Sequence, residues 1–532
     1  MKIKSIIIIV LILITFSFDV LSESGSSPKQ PNIVFVFSDD HATQAVSAYG
    51  HELSKLAPTP NIDRIGEKGI RFDRCLVGNS ICGPSRATIL TGTYSHINKF
   101  YSNERTEFDG SQPTFPKILQ NLNYQTALIG KWHLASAPTG FDHWEILKGQ
   151  GHYYNPDFRT VSGLHREEGY VSELVTEKAI TWLEEQRDAT KPFLLMVQHK
   201  APHRDWSPAP KYLNTFDDIT FPEPDTLFDD YKGRGSAARN QDMSIEKSML
   251  LGSDLKVDAF YTNRYNRMTP QQAEQFQQAY ADESKFLIDN QLSGKELISW
   301  KYQRYVKDYL RTIKSVDDCV GEVWDWLEEH QLLDNTIFVY SSDQGFYLGE
   351  HGWFDKRFMY DESYRTPLLM SWPGVTEPGS VSSNLVSNLD FAQTFIEAAG
   401  GEAHERMQGE SLISLFNGKP NNNWRKSHYY HYYEYPGWHM VYRHEGVYDG
   451  RFKLLNFYDI GEWELYDCKN DPQEMTNCYD DPTYQQDAKR LHIELKKLRS
   501  QYNVPENEPK EVEGVGQHYH SDRRKERTGD RS

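Results

Sequence analysis

Basic charge is in short supply in this chain. Its 532 residues carry 58 Lys and Arg against 76 Asp and Glu, a net charge of −18. That balance excludes a broad nucleic-acid-binding face, which needs clustered Lys and Arg. It leaves room for an anionic substrate, because a small cationic pocket can sit inside an acidic protein. Long apolar runs are missing too. The run from Ile6 to Phe16 falls short of the roughly 20 residues that a membrane-spanning helix requires. Lys2 and Lys4 precede it and a polar stretch from Ser22 to Lys29 follows, the layout of a secretory signal. We therefore expect a signal peptide over residues 1–23 and a chain exported to the periplasm or the medium, not one that spans the membrane. No cysteine closes the run, so no lipid anchor is expected. Only five cysteines are present, and an odd count leaves at least one unpaired within the chain. Cys468 and Cys478 are spaced for a short local disulfide. Cys82 is the candidate for a separate role. Internal repeats are absent.

What is present describes a folded chain large enough for one large domain and a smaller one, with 38% hydrophobic and 13% aromatic residues. Ile33 to Phe37 is a continuous apolar, β-rich run, as in a strand buried on both faces. Similar runs recur at Thr126 to Ile129, Phe193 to Val197, Ile337 to Tyr340 and Leu368 to Ser371. Helical signals lie between them. Thr59-Pro60 reads as an N-cap followed by Pro at the first helical position. Val306, Leu310, Ile313, Val316, Val320, Val323 and Leu327 recur three or four residues apart. A third helix runs from about Leu389 to Ala399 and stops at Gly400-Gly401. Strands alternating with helices predict an α/β fold, an α/β/α sandwich around a mostly parallel sheet.

We expect this domain over residues 31–416, with residues 204–300 as an insertion that shapes a substrate pocket and holds one helix from Pro270 to about Phe286. After a polar boundary at Asn417 to Trp424 come short aromatic-rich strands (His428 to Tyr433, Val441 to Tyr448, Phe452 to Phe457) and a helix from about Gln485 to Gln501. They predict a small antiparallel α+β subdomain over 425–502. Residues 503–532 are polar and read as a disordered tail.

Chemistry-bearing residues cluster where these strands end. Asp39-Asp40 follow the first strand, and Asp343-Gln344 follow Ile337 to Tyr340. Adjacent buried carboxylates repel unless a cation neutralises them. Three carboxylates and a carboxamide form an all-oxygen set suited to calcium rather than zinc. Lys131-Trp132-His133 follow a third strand, and Ala201-Pro202-His203 a fourth. The segment Ser80-Ile81-Cys82-Gly83-Pro84-Ser85-Arg86 leads into Ala87 to Gly92, a short helix.

That segment resembles the type I sulfatase signature, C-x-P-S-R followed by a helix ending in T-G. Gly130-Lys131-Trp132-His133-Leu134, Thr59 to Arg64 and Ser363 to Leu368 are also similar to that family, and the resemblance runs from about Pro31 to Tyr466. It implies an alkaline-phosphatase-like fold and sulfate ester hydrolysis. It implies that a formylglycine-generating enzyme oxidises Cys82 to formylglycine (3-oxoalanine), and that calcium is bound by Asp39, Asp40, Cys82, Asp343 and Gln344. The family more often has Asn or His where Gln344 stands. By the same resemblance Arg86 orients the formylglycine, Lys131 and His133 contact it, and His133 is the general base. His203 binds sulfate and protonates the leaving alcohol, and Lys356 binds sulfate.

Gly149 to Pro156 is similar to bacterial sulfatases of sulfated glycans, among them glucosamine-6-sulfatase-like enzymes and those acting on algal polysaccharides such as ulvan and carrageenan. A sulfated poly- or oligosaccharide is the expected substrate. Tyr153, Tyr154, Asn155, His351 and Arg357 are the expected sugar contacts, with Tyr153 and Tyr154 alternatively ordinary core aromatics. Two other readings stand beside this one. The first is a phosphonate or phosphate monoester hydrolase of the same superfamily, which Cys82 and the oxygen-only ligand set disfavour. The second is an inactive sulfated-glycan-binding protein.

Overall fold

A computed structural model describes residues 30–104, 106–418 and 421–513. The expected signal peptide and the last part of the expected tail lie outside them. Among the described residues, no helix is long and apolar enough to cross a membrane.

Ten strands form the main sheet. In chain order they are β1 (Asn32–Ser38), β2 (Ile70–Phe72), β3 (Gln125–Gly130), β4 (His143–Leu147), β5 (Asp157–Thr160), β6 (Gly163–Arg166), β7 (Phe193–Gln198), β8 (Thr336–Ser342), β9 (Leu368–Ser371) and β10 (Ser380–Ser382). Their spatial order is β10-β2-β9-β8-β1-β7-β3-β4-β5-β6. The centre, β8-β1-β7-β3-β4, is parallel throughout. Antiparallel pairs extend it at both sides. Parallel strands need both faces covered, and the side chains of β1 show how that is met. Ile33, Phe35 and Phe37 pack with Phe391 and Phe395 on one face. Val34 and Val36 pack with Ile62, Val175 and Val316 on the other.

The covering helices follow the apolar spacing. On the first face lie α2 (Cys82–Thr91), α3 (Phe115–Asn121) and α7 (Asp390–Ala398). On the second lie α1 (Pro60–Glu67), α4 (Val171–Thr181) and α6 (Gly294–Glu329), 36 residues long. Helix α5 (Pro270–Asn290) starts with a capping box at Thr269 and Gln272. Thr59 does occupy the N-cap of α1, but its hydroxyl bonds Asp63 and Ser47 instead of a helix N–H.

The C-terminal unit is a four-stranded antiparallel sheet, β11 (His428–Tyr432), β12 (His444–Tyr448), β13 (Phe452–Phe457) and β14 (Glu462–Asp467), packed on α8 (Gln485–Gln501). Two expectations need correction here. Cys468 and Cys478 are not bonded to each other; all five cysteines are free. The tail is not featureless from residue 503. Val512 packs against Tyr101 and Tyr433, and Glu508 accepts the Tyr458 hydroxyl.

The insertion is tied to the body by buried charge. Asp308 of α6 meets Lys256 Nζ at 3.0 Å, Arg311 Nη1 at 3.0 Å and the Tyr280 hydroxyl at 2.8 Å. Lys256 also donates to the backbone carbonyls of Asp205, Trp206 and Asp254. Removing one partner from such a cluster strands the others. Asp308→Ala should therefore destabilise the protein by about 3–5 kcal/mol. Chemical denaturation measures that loss, and limited proteolysis should show earlier cleavage within residues 204–300.

Candidate active site

The carboxyl ends of the parallel strands converge on one crevice, where sheets of this kind bind ligands. Strands β1 and β8 run in register, Ser38 beside Ser342, so their next residues, Asp39-Asp40 and Asp343-Gln344, emerge side by side. Asp39, Asp40 and Asp343 each place an oxygen within 4.8 Å of the others, and all are fully buried. Strand β3 delivers Lys131 and His133, and β7 delivers Lys200 and His203. Gly130, at φ 108°, makes the handover from β3, because a Cβ there would overlap the Gln198 carbonyl.

Cys82 is the first residue of α2, a helix with every residue buried. At Gly83 a Cβ would press on the Phe100 ring, so the glycine lets that ring pack against the start of α2; its N–H donates to Asn103 Oδ1 at 2.9 Å. Cys82 Sγ lies 3.9 Å from Gln344 Nε2, and it shares a cluster with Asp39 and His203. Burial, with Asp40 and Asp343 nearby, pushes its thiol up to about 12. An unmodified Cys82 is thus a neutral thiol, a poor nucleophile.

One turn later Arg86 holds the frame. Its Nε and Nη2 donate to Asp343 Oδ2 at 3.1 and 2.9 Å, and Nη1 donates to the Lys131 carbonyl and Gln198 Oε1. Lys356 Nζ donates to both oxygens of Asp40, at 2.7 and 2.8 Å. Burial opposes the charge on Lys356, but Asp40 holds its pKa above the ordinary lysine value. Lys131 forms an ion pair with Asp39, yet neither Asp39 oxygen accepts a hydrogen bond.

Burial, reinforced by Asp343 and Asp355 against the pull of Lys356, raises Asp40 to about 7. Gln344 turns Nε2 toward Asp40 and leaves Oε1 without a partner. Unsatisfied buried oxygens, crowded carboxylates and an all-oxygen donor set fit a hard divalent cation.

Both histidines are neutral. Burial and the neighbouring lysines, Lys131 first, hold their pKa values well below normal. His203 Nδ1–H donates to the Arg204 carbonyl at 2.7 Å, so its Nε2 carries the lone pair, 3.8 Å from Asp40. His133 sits at φ 55° with Nδ1 unpartnered.

The structure thus brings together Cys82, Arg86, Lys131, His133, His203, Lys356, Asp39, Asp40, Asp343 and Gln344. The expected sugar contacts do not join them as expected. Tyr153 and Tyr154 are core residues whose hydroxyls donate to the carbonyls of His203 and Pro208. Asn155 knots the backbone at Gly169 and Arg267. His351 is fully buried among Tyr347, Trp353 and Tyr360, with Nδ1 accepting from Arg234 Nη1 at 2.9 Å. Each is withdrawn from solvent by packing that the short motif did not reveal. Arg357 is fixed by Asp355, Tyr432 and Glu434, all bound through Nε and Nη1, which leaves Nη2 to act.

Lys200 was not anticipated. It is buried, lowered by burial to about 8, and its ammonium lies 4.7 Å from the Tyr153 ring centre. The signal was there to read, since Lys200 follows the end of β7 as Lys131 follows β3. Asp355 and His439, 3.2 Å apart beside Lys356, come from distant segments and had no such signal.

Comparison with known proteins agrees with this geometry. Residues 31–401 match the sulfatase family, and residues 349–501 match the family described as N-sulphoglucosamine sulphohydrolase, C-terminal. The chain is 50% identical to an N-acetylglucosamine-6-O-sulfatase of Bacteroides thetaiotaomicron, over 92% of this chain and 89% of the relative. It is 24% identical to an ulvan-active sulfatase of Formosa agariphila, over 89% and 81% of the two chains. A solved structure in complex with its substrate, D-glucosamine-2-N,6-O-disulfate, superposes with a TM-score of 0.88 at 49% identity, covering 91% of this chain and all of the other. These matches span both the sheet that carries the crevice and the unit that closes it, and they settle the relationship: the chain belongs to the sulfatase family, the sulfuric ester hydrolases.

Proposed function

We propose that this enzyme removes the 6-O-sulfate of a glucosamine residue, N-acetylated or N-sulfated, in a sulfated glycan. The observation that carries the reaction class is Cys82 at a buried helix N-terminus, facing three carboxylates and ringed by Arg86, Lys131, Lys200 and Lys356. The sugar rests on the relatives, where half identity to a glucosamine-type sulfatase outweighs 24% to an ulvan-active one.

Asp39, Asp40, Asp343 and Gln344 would hold a calcium ion, with the modified residue 82 completing the set. An aldehyde made from Cys82 would supply a hydrated oxygen nucleophile, and calcium would supply positive charge beside it. The chain's own groups do the rest. The N-terminus of α2 and Lys131, Lys200 and Lys356 attract and orient the sulfate ester. Arg86 fixes Asp343 and the backbone of Lys131, so the cradle is set before substrate arrives. His133, neutral with Nδ1 unpartnered, accepts a proton from the nucleophile. His203, its Nδ1–H committed to Arg204, can accept and return a proton only at Nε2, toward the leaving alcohol. Arriving negative charge raises the proton affinity of both rings. Arg357 Nη2 is the group assigned to a second polar or anionic substituent of the sugar. With the export signal expected over residues 1–23, this chemistry would take place in the periplasm or outside the cell.

Sulfate release from N-acetylglucosamine-6-sulfate, compared with ulvan and with phosphate release from a phosphate monoester, tests the proposal. Faster phosphate release would favour the phosphoester reading, and binding without turnover the glycan-binding one.

Two outcomes are expected in detail. Mass spectrometry of the peptide carrying Cys82 should show the aldehyde in active enzyme, and Cys82→Ala should lower kcat by at least about 10³-fold with the fold intact. Activity that persists with an unmodified cysteine would sink the mechanism. Excess chelator, or Asp343→Ala, should abolish turnover and lower the melting temperature, since the ion stabilises the folded state that binds it. Full activity and an unchanged melting curve in chelator would remove calcium from the account.

A further inference from the structure

The ladder of β1 with its neighbours ends at Ser38, so the backbone of Asp40 and Ala42 has no strand to pair with. Both residues are fully buried, and their carbonyl and N–H need a partner from elsewhere. One side chain supplies both. Tyr309, on α6, donates its hydroxyl hydrogen to the Asp40 carbonyl at 2.6 Å and accepts from the Ala42 N–H at 2.8 Å. Burial holds the phenol well above its ordinary pKa, so the hydroxyl keeps its hydrogen. The bridge spans His41, whose own N–H donates to Ser342 Oγ at 2.8 Å.

The bridged turn carries the most heavily used carboxylate of the crevice. Asp40 receives Lys356 and Gln344 and lies among Asp39 and Asp343. Its φ of 69° is one that a residue other than glycine keeps only when its surroundings enforce it. The Tyr309 ring is itself held. It stacks on Phe346, 5.7 Å between ring centres at an interplanar angle of 12°, and the Phe346 ring centre lies 5.6 Å from Lys356 Nζ. Asp40, Tyr309, Phe346 and Lys356 thus close a circuit of hydrogen bond, ring stack, cation–ring contact and ion pair. Water could satisfy the same carbonyl and N–H one at a time. It has no ring to hold it in place, and the turn would be free to relax.

We infer that Tyr309 is a positioning residue for the cation: its hydroxyl fixes the Asp40 turn, so that the carboxylate is aimed before the ion arrives. The assignment rests on the calcium reading above. Groups that orient a ligand without touching the metal still govern how tightly the metal is held.

Calcium titration calorimetry on matured, chelator-stripped protein tests this with wild type, Tyr309→Phe and Tyr305→Phe. Tyr305 is the control: it lies one turn earlier on α6 and is equally buried, but its hydroxyl donates to the Tyr347 carbonyl, at 2.7 Å, instead of to the Asp40 turn. The calcium Kd should rise about tenfold in Tyr309→Phe, which keeps the ring, and stay within about twofold in Tyr305→Phe. Saturating calcium should return kcat of Tyr309→Phe to within about twofold of wild type, on whichever sulfate ester wild type hydrolyses. A hydroxyl that served the fold alone would lower the melting temperature without moving the Kd. An unchanged Kd in Tyr309→Phe would therefore overturn the assignment, as would an equal rise in both variants or a kcat that calcium does not restore. If Tyr309→Phe does not fold, Phe346→Leu replaces it, removing the ring on which the phenol rests. Its Kd should rise at least about threefold, and an unchanged value there overturns the assignment equally. If wild type binds no calcium, the calcium reading fails and Tyr309 falls with it. If wild type binds and Tyr309→Phe binds as tightly, only the role of Tyr309 is lost.

Discussion

Three buried carboxylates at the ends of two neighbouring parallel strands set the terms for the rest of this structure. Asp39, Asp40 and Asp343 cannot all carry charge in a dry crevice without compensation. Cations are therefore drawn in from every direction. Arg86 comes from a helix on one face, Lys131 from a neighbouring strand end and Lys356 from a loop after β8. The carboxylates in turn make those lysines and arginine tolerable in the interior. The result is a compact site of alternating charge that can take up both a cation and an anion.

Holding this arrangement costs backbone strain within the site itself. Asp40, His133, Asp355 and Arg357 all have positive φ, at 69°, 55°, 82° and 96°, and none is glycine. Such conformations cost about 1–3 kcal/mol each and persist only when surroundings dictate them. Here the surroundings are visible. Asp40 receives Lys356 and donates its backbone N–H to Asp343 Oδ1 at 3.1 Å. Asp355 and Arg357 bond each other at 3.1 Å and are clamped by Glu434 and His439. His351, also at positive φ, anchors the start of the same loop through Arg234.

The C-terminal sheet is thus part of the site. Tyr432 and Glu434 fix the Arg357 guanidinium, the Tyr430 hydroxyl donates to the Arg357 carbonyl, and His444 Nε2 accepts from the Met359 N–H. Without these contacts the loop that carries Lys356 would lack its outer wall. The main sheet supplies most of the charged groups of the crevice, and the smaller unit holds the loop of Asp355 and Arg357 in place.

The sequence by itself determined the α/β class, the central parallel strands and the charged residues that gather at the ends of those strands. Those features depend on local pattern: an apolar run names a buried strand, and the residue that follows it must stand at the sheet's edge. Asp39, Lys131, His203 and Asp343 were all legible in that way. Lys200 was equally legible and was passed over. Only the tertiary structure decided which polar residues face the crevice and which are spent on the fold. Tyr153, Tyr154, Asn155 and His351 look like sugar contacts in a linear motif, yet their polar atoms are taken by Pro208, Arg267, Arg234 and the His203 carbonyl, partners at least 50 residues away. Asp355 and His439 went unread for the converse reason. Their meeting depends on a loop from another sheet folding back across the chain, and no local periodicity encodes a contact between segments 84 residues apart, as Asp355 and His439 are.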